Sequence, residues 1–299
     1  MDRLDAMAAF VAVADLNGFA PAARKLGLSP SAVTRLVAAL EQRVGARLLQ
    51  RTTRSVALTD IGARYLERVK RILSDVEEAE ASASAERIDP SGRLVVSAPV
   101  GFGRLHVAPL MSDYLLRYPD VAGELRLSDR IINLVEDGVD CAVRIGPLAD
   151  SSLVARQLGT MRRIVVASPD YLGARGVPMV PAEVAAHDTV HFGAITSTVT
   201  WRFVVDGRDV RVACTPRFAT NAADAAILYA ERGGGLTRVL AYQAAEAIRT
   251  GRLQVVLADY EAPPLPITIV YPTSRLLSAK VRTFVDLAAE ICDWRFGAG

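Results

Sequence analysis

The sequence predicts a multidomain chain: a small, mainly helical N-terminal domain with a two-stranded wing, a long linker helix, and a C-terminal α/β domain. Three observations predict it. Residues 4–44 carry apolar side chains at helical spacing, interrupted by glycine turns. A long heptad-like run then ends in the breaker cluster Asp89-Pro90-Ser91-Gly92. Beyond that cluster, β-prone runs alternate with helical patterns, which implies a mainly parallel sheet covered by helices. A chain of 299 residues exceeds the ~100–200 of one domain, and the boundaries read as 1–58, 59–88 and 89–299.

The elements follow in order. Leu4, Met7, Phe10, Val11 and Ala14 share one face of a helix over 4–16, stopped by Asn17-Gly18. Phe19, Ala22, Ala23 and Leu26 mark a second, short helix that turns at Gly27-Leu28. Ser29-Pro30 starts a third, because Ser caps free amides and Pro fits the first helical position. This helix runs to about Val44 and ends at Gly45. Val33, Leu36, Val37, Leu40 and Val44 form its apolar arc; Ser31, Thr34, Arg35, Ala38 and Gln42 form the opposite one. Residues 47–59 alternate and read as two wing strands, with Arg51, Thr52, Thr53 and Arg54 at the tip. Thr59-Asp60 starts a helix reaching about Glu86, in which Tyr65, Val69, Ile72, Val76, Ala79 and Ala83 step by four and three. That heptad seam favours pairing with a second copy over packing within one chain.

In the C-terminal part, strands are expected at 93–98, 122–128, 139–145, 162–167, near 253–257 and at 266–271. Helices are expected at about 105–118, 130–137, 169–175, 221–232 and 278–295.

Charge is distributed unevenly. Residues 1–72 hold 12 Lys+Arg against 6 Asp+Glu, a local +6, while the rest of the chain is at −4. A basic head on a mildly acidic body fits a head that meets a polyanion. The short helix, the turn and the Ser-Pro-capped helix with a small polar outer face fit a helix-turn-helix, whose second helix enters the major groove. Ser31 and Thr34 can reach phosphates or bases without bulk, Ala38 permits close approach, and Arg35 can reach a guanine edge or a phosphate.

FAPAARKLGLSPSAVTRLVAALEQRVGARLLQRTTRSVALTDIGARYL (19–66) resembles the N-terminal domain of the LysR-type transcriptional regulators. The resemblance implies a winged helix-turn-helix with DNA contacts at Ser29, Pro30, Ser31, Thr34, Arg35, Arg51, Thr53 and Arg54. It continues more loosely over RLVVSAPVGFGRLHVAPLM (93–111), DRIINLVEDGVDCAVRIG (129–146) and LVARQLG (153–159). There it implies an effector domain like the type 2 periplasmic binding proteins, with subdomain 1 at 91–160 and 268–299 and subdomain 2 at 161–267. A small effector would sit between them. Strand ends and helix starts then supply the candidate effector residues Ser97, Pro99, Val100, Gly101, Phe102, Arg144, Gly146, Phe192, Asn221 and Gly235. Arg144 reads either as a ligand clamp or as an internal ion pair. Trp201 reads as core or subdomain surface before pocket, and Gly233–Gly235 as a helix C-terminal turn.

The partners implied are double-stranded DNA, a small effector, RNA polymerase, and further copies in a homodimer or homotetramer. No cofactor, metal or membrane partner is expected. The three histidines, His106, His187 and His191, form no metal pattern, and no GxSxG, Walker loop or GxGxxG is present. Cys141, Cys214 and Cys292 are scattered and read as structural thiols. An enzyme is therefore not expected, and with no signal-like N-terminus and no span-length apolar run, residence in the cytoplasm is.

Overall fold

The computed structural model describes residues 2–51, 56–83, 89–148, 153–193, 199–273, 278–292 and 294–296. The chain divides into two compact units, Met1–Asp89 and Pro90–Leu276 with Lys280–Gly299.

The first unit opens with α1 (Arg3–Asp15), α2 (Phe19–Leu26) and α3 (Pro30–Val44). The carboxylate of Asp2 accepts the Leu4 amide at 3.2 Å and caps α1. After α3 come the antiparallel wing strands β1 (Leu49–Arg51) and β2 (Val56–Leu58), then α4 (Asp60–Ala83). Phe10, Val13, Val33, Val37, Leu48 and Val69 are fully buried together; each such side chain contributes about 1.5–3 kcal/mol. One carboxylate joins helix to wing: Glu41 Oε1 accepts the amides of Leu48 (2.8 Å) and Leu49 (3.0 Å). Gly62 brings α4 against the wing. A Cβ there would stand 1.9 Å from the Leu48 carbonyl oxygen.

The heptad seam divides. Tyr65 packs on Phe10 with ring centroids 5.9 Å apart, and Val69 has no exposed surface. These two positions therefore also serve the unit's own core. Ile72 is exposed and Val76 half-buried.

The second unit begins with β3 (Gly92–Ala98) and a helical run made of α5 (Val100–Phe102), a π-helical turn (Gly103–Val107) and α6 (Ala108–Arg117). Next come β4 (Val121–Leu127), β5 (Cys141–Ile145), β6 (Leu153–Met161), β7 (Arg163–Ala167), α7 (Pro169–Arg175) and β8 (Thr189–Phe192). The chain continues through β9 (Val199–Val205), β10 (Arg208–Cys214), β11 (Pro216–Thr220), α8 (Ala223–Glu231), β12 (Leu236–Leu240), α9 (Ala241–Arg249) and β13 (Gln254–Val256). It closes with β14 (Leu265–Pro272), α10 (Ala279–Ile291) and β15 (Trp294–Phe296).

These strands build two mixed sheets, ordered β15-β6-β14-β5-β3-β4 and β11-β8-β12-β7-β13, with β9 and β10 paired as a hairpin. The parallel pairings expected from sequence are the more numerous in the two sheets, five against four, but the antiparallel ones were not expected. β14 runs antiparallel to both β5 and β6, and β7 antiparallel to both β12 and β13. The chain passes from the first sheet to the second at Arg162 and returns just before β14. There Arg162 and Glu261 form a two-pronged ion pair, Nε to Oε2 and Nη2 to Oε1, each at 2.8 Å.

The helix expected at 130–137 is corrected to turns. Asn133 Oδ1 accepts the amides of Val135 and Glu136, and Asp137 Oδ2 accepts that of Asn133. Side chains that satisfy local amides compete with helix formation.

Candidate functional site

Two surfaces are candidates, one in each unit. In the first, Ser29 caps α3: its Oγ accepts the Ala32 amide at 3.2 Å and lies 3.0 Å from Ser31 Oγ. Pro30 fills the first helical position. Val33, Leu36, Val37 and Leu40 are buried, which orients the helix and leaves Ser31, Arg35, Ala38 and Gln42 exposed along the other side. Thr34 is half-buried, and its hydroxyl donates to the Pro30 carbonyl at 2.9 Å, leaving its oxygen lone pairs for a ligand. Arg35 has no ion pair among the described residues. Arg24, Lys25, Arg43 and Arg47 are exposed on the same unit. Of the wing residues expected to reach DNA, Arg51 is described by its backbone in β1, while Thr53 and Arg54 lie outside the described residues.

In the second unit a cavity of about 560 Å³ opens where strand ends of the two sheets converge. Ser97, Pro99, Arg144, Gly146 and Phe192, all expected from sequence, line it. Arg144 Nη2 donates to the Ile132 carbonyl at 2.9 Å; it is not wholly free, and among the described residues it is not one arm of an ion pair. Asp129 Oδ1 accepts the Val100 amide at 3.0 Å and so fixes the start of α5. Gln243 Oε1 caps α9 by accepting the Leu240 amide at 2.9 Å. Beside it, burial pushes the Tyr242 hydroxyl up to about 12.

The other expected residues lie elsewhere. Val100 and Gly101 follow the lining residue Pro99 on α5, outside the cavity wall. Phe102 is wholly buried against His106, Tyr242, Trp294 and Phe296, with ring centroids 4.7–5.9 Å away. Its role as a ligand contact is corrected to core: it backs Tyr242, whose ring forms the wall. Asn221 is exposed beyond the end of β11, and Gly235 is buried against Asp188; neither lines the cavity. Trp201 is core, packed with Phe203 and Val212.

Sequence reasoning missed Arg163, Tyr242 and Gln243, which line the cavity from β7 and α9. One local signal for Gln243 existed, its place three residues after the start of a helix, where a side chain can return to the cap amide. Arg163 had none. No group of His, Cys, Asp and Glu able to hold a metal occurs among the described residues. His187 Nδ1 meets the Tyr171 hydroxyl at 3.1 Å, and burial lowers its pKa. Burial raises all three thiols, Cys292 to about 11, so they are held as neutral thiols. No helix among the described residues is long and apolar enough to cross a membrane.

Residues 4–63 match the family described as bacterial regulatory helix-turn-helix protein, lysR family, and residues 87–293 match the LysR substrate binding domain. The chain is 36% identical over 300 residues to an HTH-type transcriptional repressor of Pseudomonas aeruginosa, covering 97% of this chain and 92% of that one. Among solved structures, CrgA of Neisseria meningitidis superposes with a TM-score of 0.60 at 33% identity, covering 96% of this chain and 97% of that one. The full-length virulence activator AphB of Vibrio cholerae superposes at 0.61 and 27%, covering 97% and 99%. Those relatives are named as regulators, which points away from an enzyme. With a helix-turn-helix for DNA and a two-subdomain α/β domain for a small molecule, the chain belongs to the LysR family of transcriptional regulators.

Proposed function

We propose that α3 reads one operator through Ser31, Thr34 and Arg35, with Ser29 and Pro30 presetting its first turn and Arg51, Thr53 and Arg54 following the flanking backbone. An effector in the cleft of the second unit modulates that binding. The observation that carries this reading is the outer side of α3: small, polar and exposed, with Arg35 unpaired. The effector half is supported by the cavity among Ser97, Arg144 and Phe192. An effector changes DNA affinity only if it binds two arrangements of the protein unequally.

The same reading has the protein acting in the cytoplasm as a homodimer or homotetramer, without catalysis, and meeting RNA polymerase at its promoter. Paired α3 helices would then enter major grooves about 34 Å apart. The family relatives include both a repressor and an activator.

Footprinting on DNA upstream of the chain's own gene tests the reading. Arg35→Ala should weaken binding to the protected site by about ten- to hundredfold, the ~1–3 kcal/mol of one good base contact, and weaken unrelated DNA much less. Equal loss on all sequences would make Arg35 a phosphate contact only. An unchanged footprint would remove α3 as the reading surface.

A further inference from the structure

Several guanidinium groups face the cleft, and among the described residues none of them is paired with a carboxylate. Arg163 is the first residue of β7 and lines the cavity. β7 and β12 run antiparallel with Leu240 opposite Arg163 and Arg238 opposite Val165, so Arg163 and Arg238 are diagonal neighbours on one face of the sheet. Neither guanidinium has a carboxylate within 4 Å among the described residues. Arg238 donates to the Arg202 carbonyl at 3.1 Å and lies 6.0 Å from the centre of the Trp201 ring. Arg163 is exposed at the cavity, and partial burial of its guanidinium lowers its pKa. Arg238 is lowered further, to about 10, by burial and by the charge of Arg163.

Across the cavity stand Arg130 and Arg144, and the lining carboxylate, Asp129, already accepts a backbone amide. The remaining wall is largely apolar, with Ile145, Leu148, Phe192 and Leu240. Guanidinium groups gathered at one cavity, with no carboxylate paired to them among the described residues, favour a ligand that brings the opposite sign. A planar guanidinium matches a carboxylate by two parallel hydrogen bonds.

We propose that the effector is an organic anion, a carboxylate on an apolar body, and that Arg163 anchors its charged end. The proposal rests on the cleft being the effector site.

Titration calorimetry on the full chain with hexanoate and hexanamide, matched in shape and one charge apart, tests it. Hexanoate should bind at least about tenfold more tightly than hexanamide, as a charge-assisted pair does over a neutral one. Arg163→Gln should remove that preference by weakening hexanoate about tenfold, leave hexanamide within about twofold, and melt with the parent, since Arg163 has no partner to lose. Arg163→Lys should recover part of the preference. Equal binding of acid and amide, no detectable binding of hexanoate, or a preference that survives Arg163→Gln overturns the proposal. Operator binding measured alongside separates the two readings. Hexanoate held through Arg163 with no change in operator affinity keeps the anion site and removes its regulatory role. A neutral compound that enters the cleft and shifts operator affinity keeps the role and removes the anion.

Discussion

The two units present their polar groups in opposite ways. On α3 the exposed groups fall within twelve consecutive residues, Ser31 to Gln42, on a convex ridge set by one helical period. In the cleft the polar groups come from Ser97, Asp129, Arg144, Arg163 and Gln243, recessed and brought together by two sheets. A ridge needs only a buried opposite face to be oriented, whereas a cleft needs every strand in register. The ridge suits a long rigid polymer that must lie flush against it, and the recess suits a small molecule that must be desolvated to be told apart.

The largest test of this contrast uses one glycine in each unit. Gly62→Ala forces a Cβ to 1.9 Å from the Leu48 carbonyl, and Gly235→Ala forces one to 2.2 Å from that of Asp188 at a φ of +129°. Each should cost about 3 kcal/mol or more. In calorimetric scans of the full chain, Gly62→Ala should depress only the transition that abolishes DNA binding, and Gly235→Ala only the one that abolishes ligand binding. A single transition lowered equally by both would mean that the units melt as one body.

Next in size are two glutamates that each join separate elements of their unit. Glu41→Ala leaves the Leu48 and Leu49 amides without their acceptor, at about 1–3 kcal/mol. Glu261→Ala removes the two-pronged pair from Arg162, whose side chain is 25% exposed; partial access to water reduces the cost to about 1–2 kcal/mol. Urea unfolding should rank Glu41→Ala at or above Glu261→Ala. The reverse order would place the heavier electrostatic dependence at the crossover.

The smallest effect is at His106. Its Nε2 is buried without a hydrogen-bond partner among Phe102, Tyr242 and Phe296, and burial lowers its pKa below the ordinary 6.5. The unfolded chain therefore binds more protons below about pH 6.5, so stability falls as the pH drops from there and levels off once the folded form is protonated too. His106→Phe should flatten that slope and raise stability at pH 5 by up to about 1 kcal/mol. His187, shifted in the same direction, would leave a residual slope. An unchanged acid profile would mean that His106 does not titrate on unfolding.

How much of this was legible in the sequence follows the same division. The bounds of α2 and α3, the Ser29 cap and the turns at Gly27 and Gly45 are local facts, set by neighbours three or four residues away. So was α7. The mixed sheets were not, because whether β14 runs with or against β5 depends on a partner more than a hundred residues distant. Phe102 shows the limit most plainly: an aromatic after a strand end fits a pocket wall until Trp294 and Phe296 arrive from the far terminus and enclose it. Arg163 entered the cleft unannounced for a similar reason, since its position depends on β12 lying beside β7.

The position of β6 in its sheet has a consequence for synthesis. Its two neighbours there are β14 and β15, both drawn from the final segment of the chain. A nascent chain emerging from the ribosome can pair β3 with β4 and β5, but β6 must wait until Leu265 and the residues after it have been made. A message cut short before that point would release a protein with a nine-residue bare strand, an open edge ready to recruit another unfinished copy.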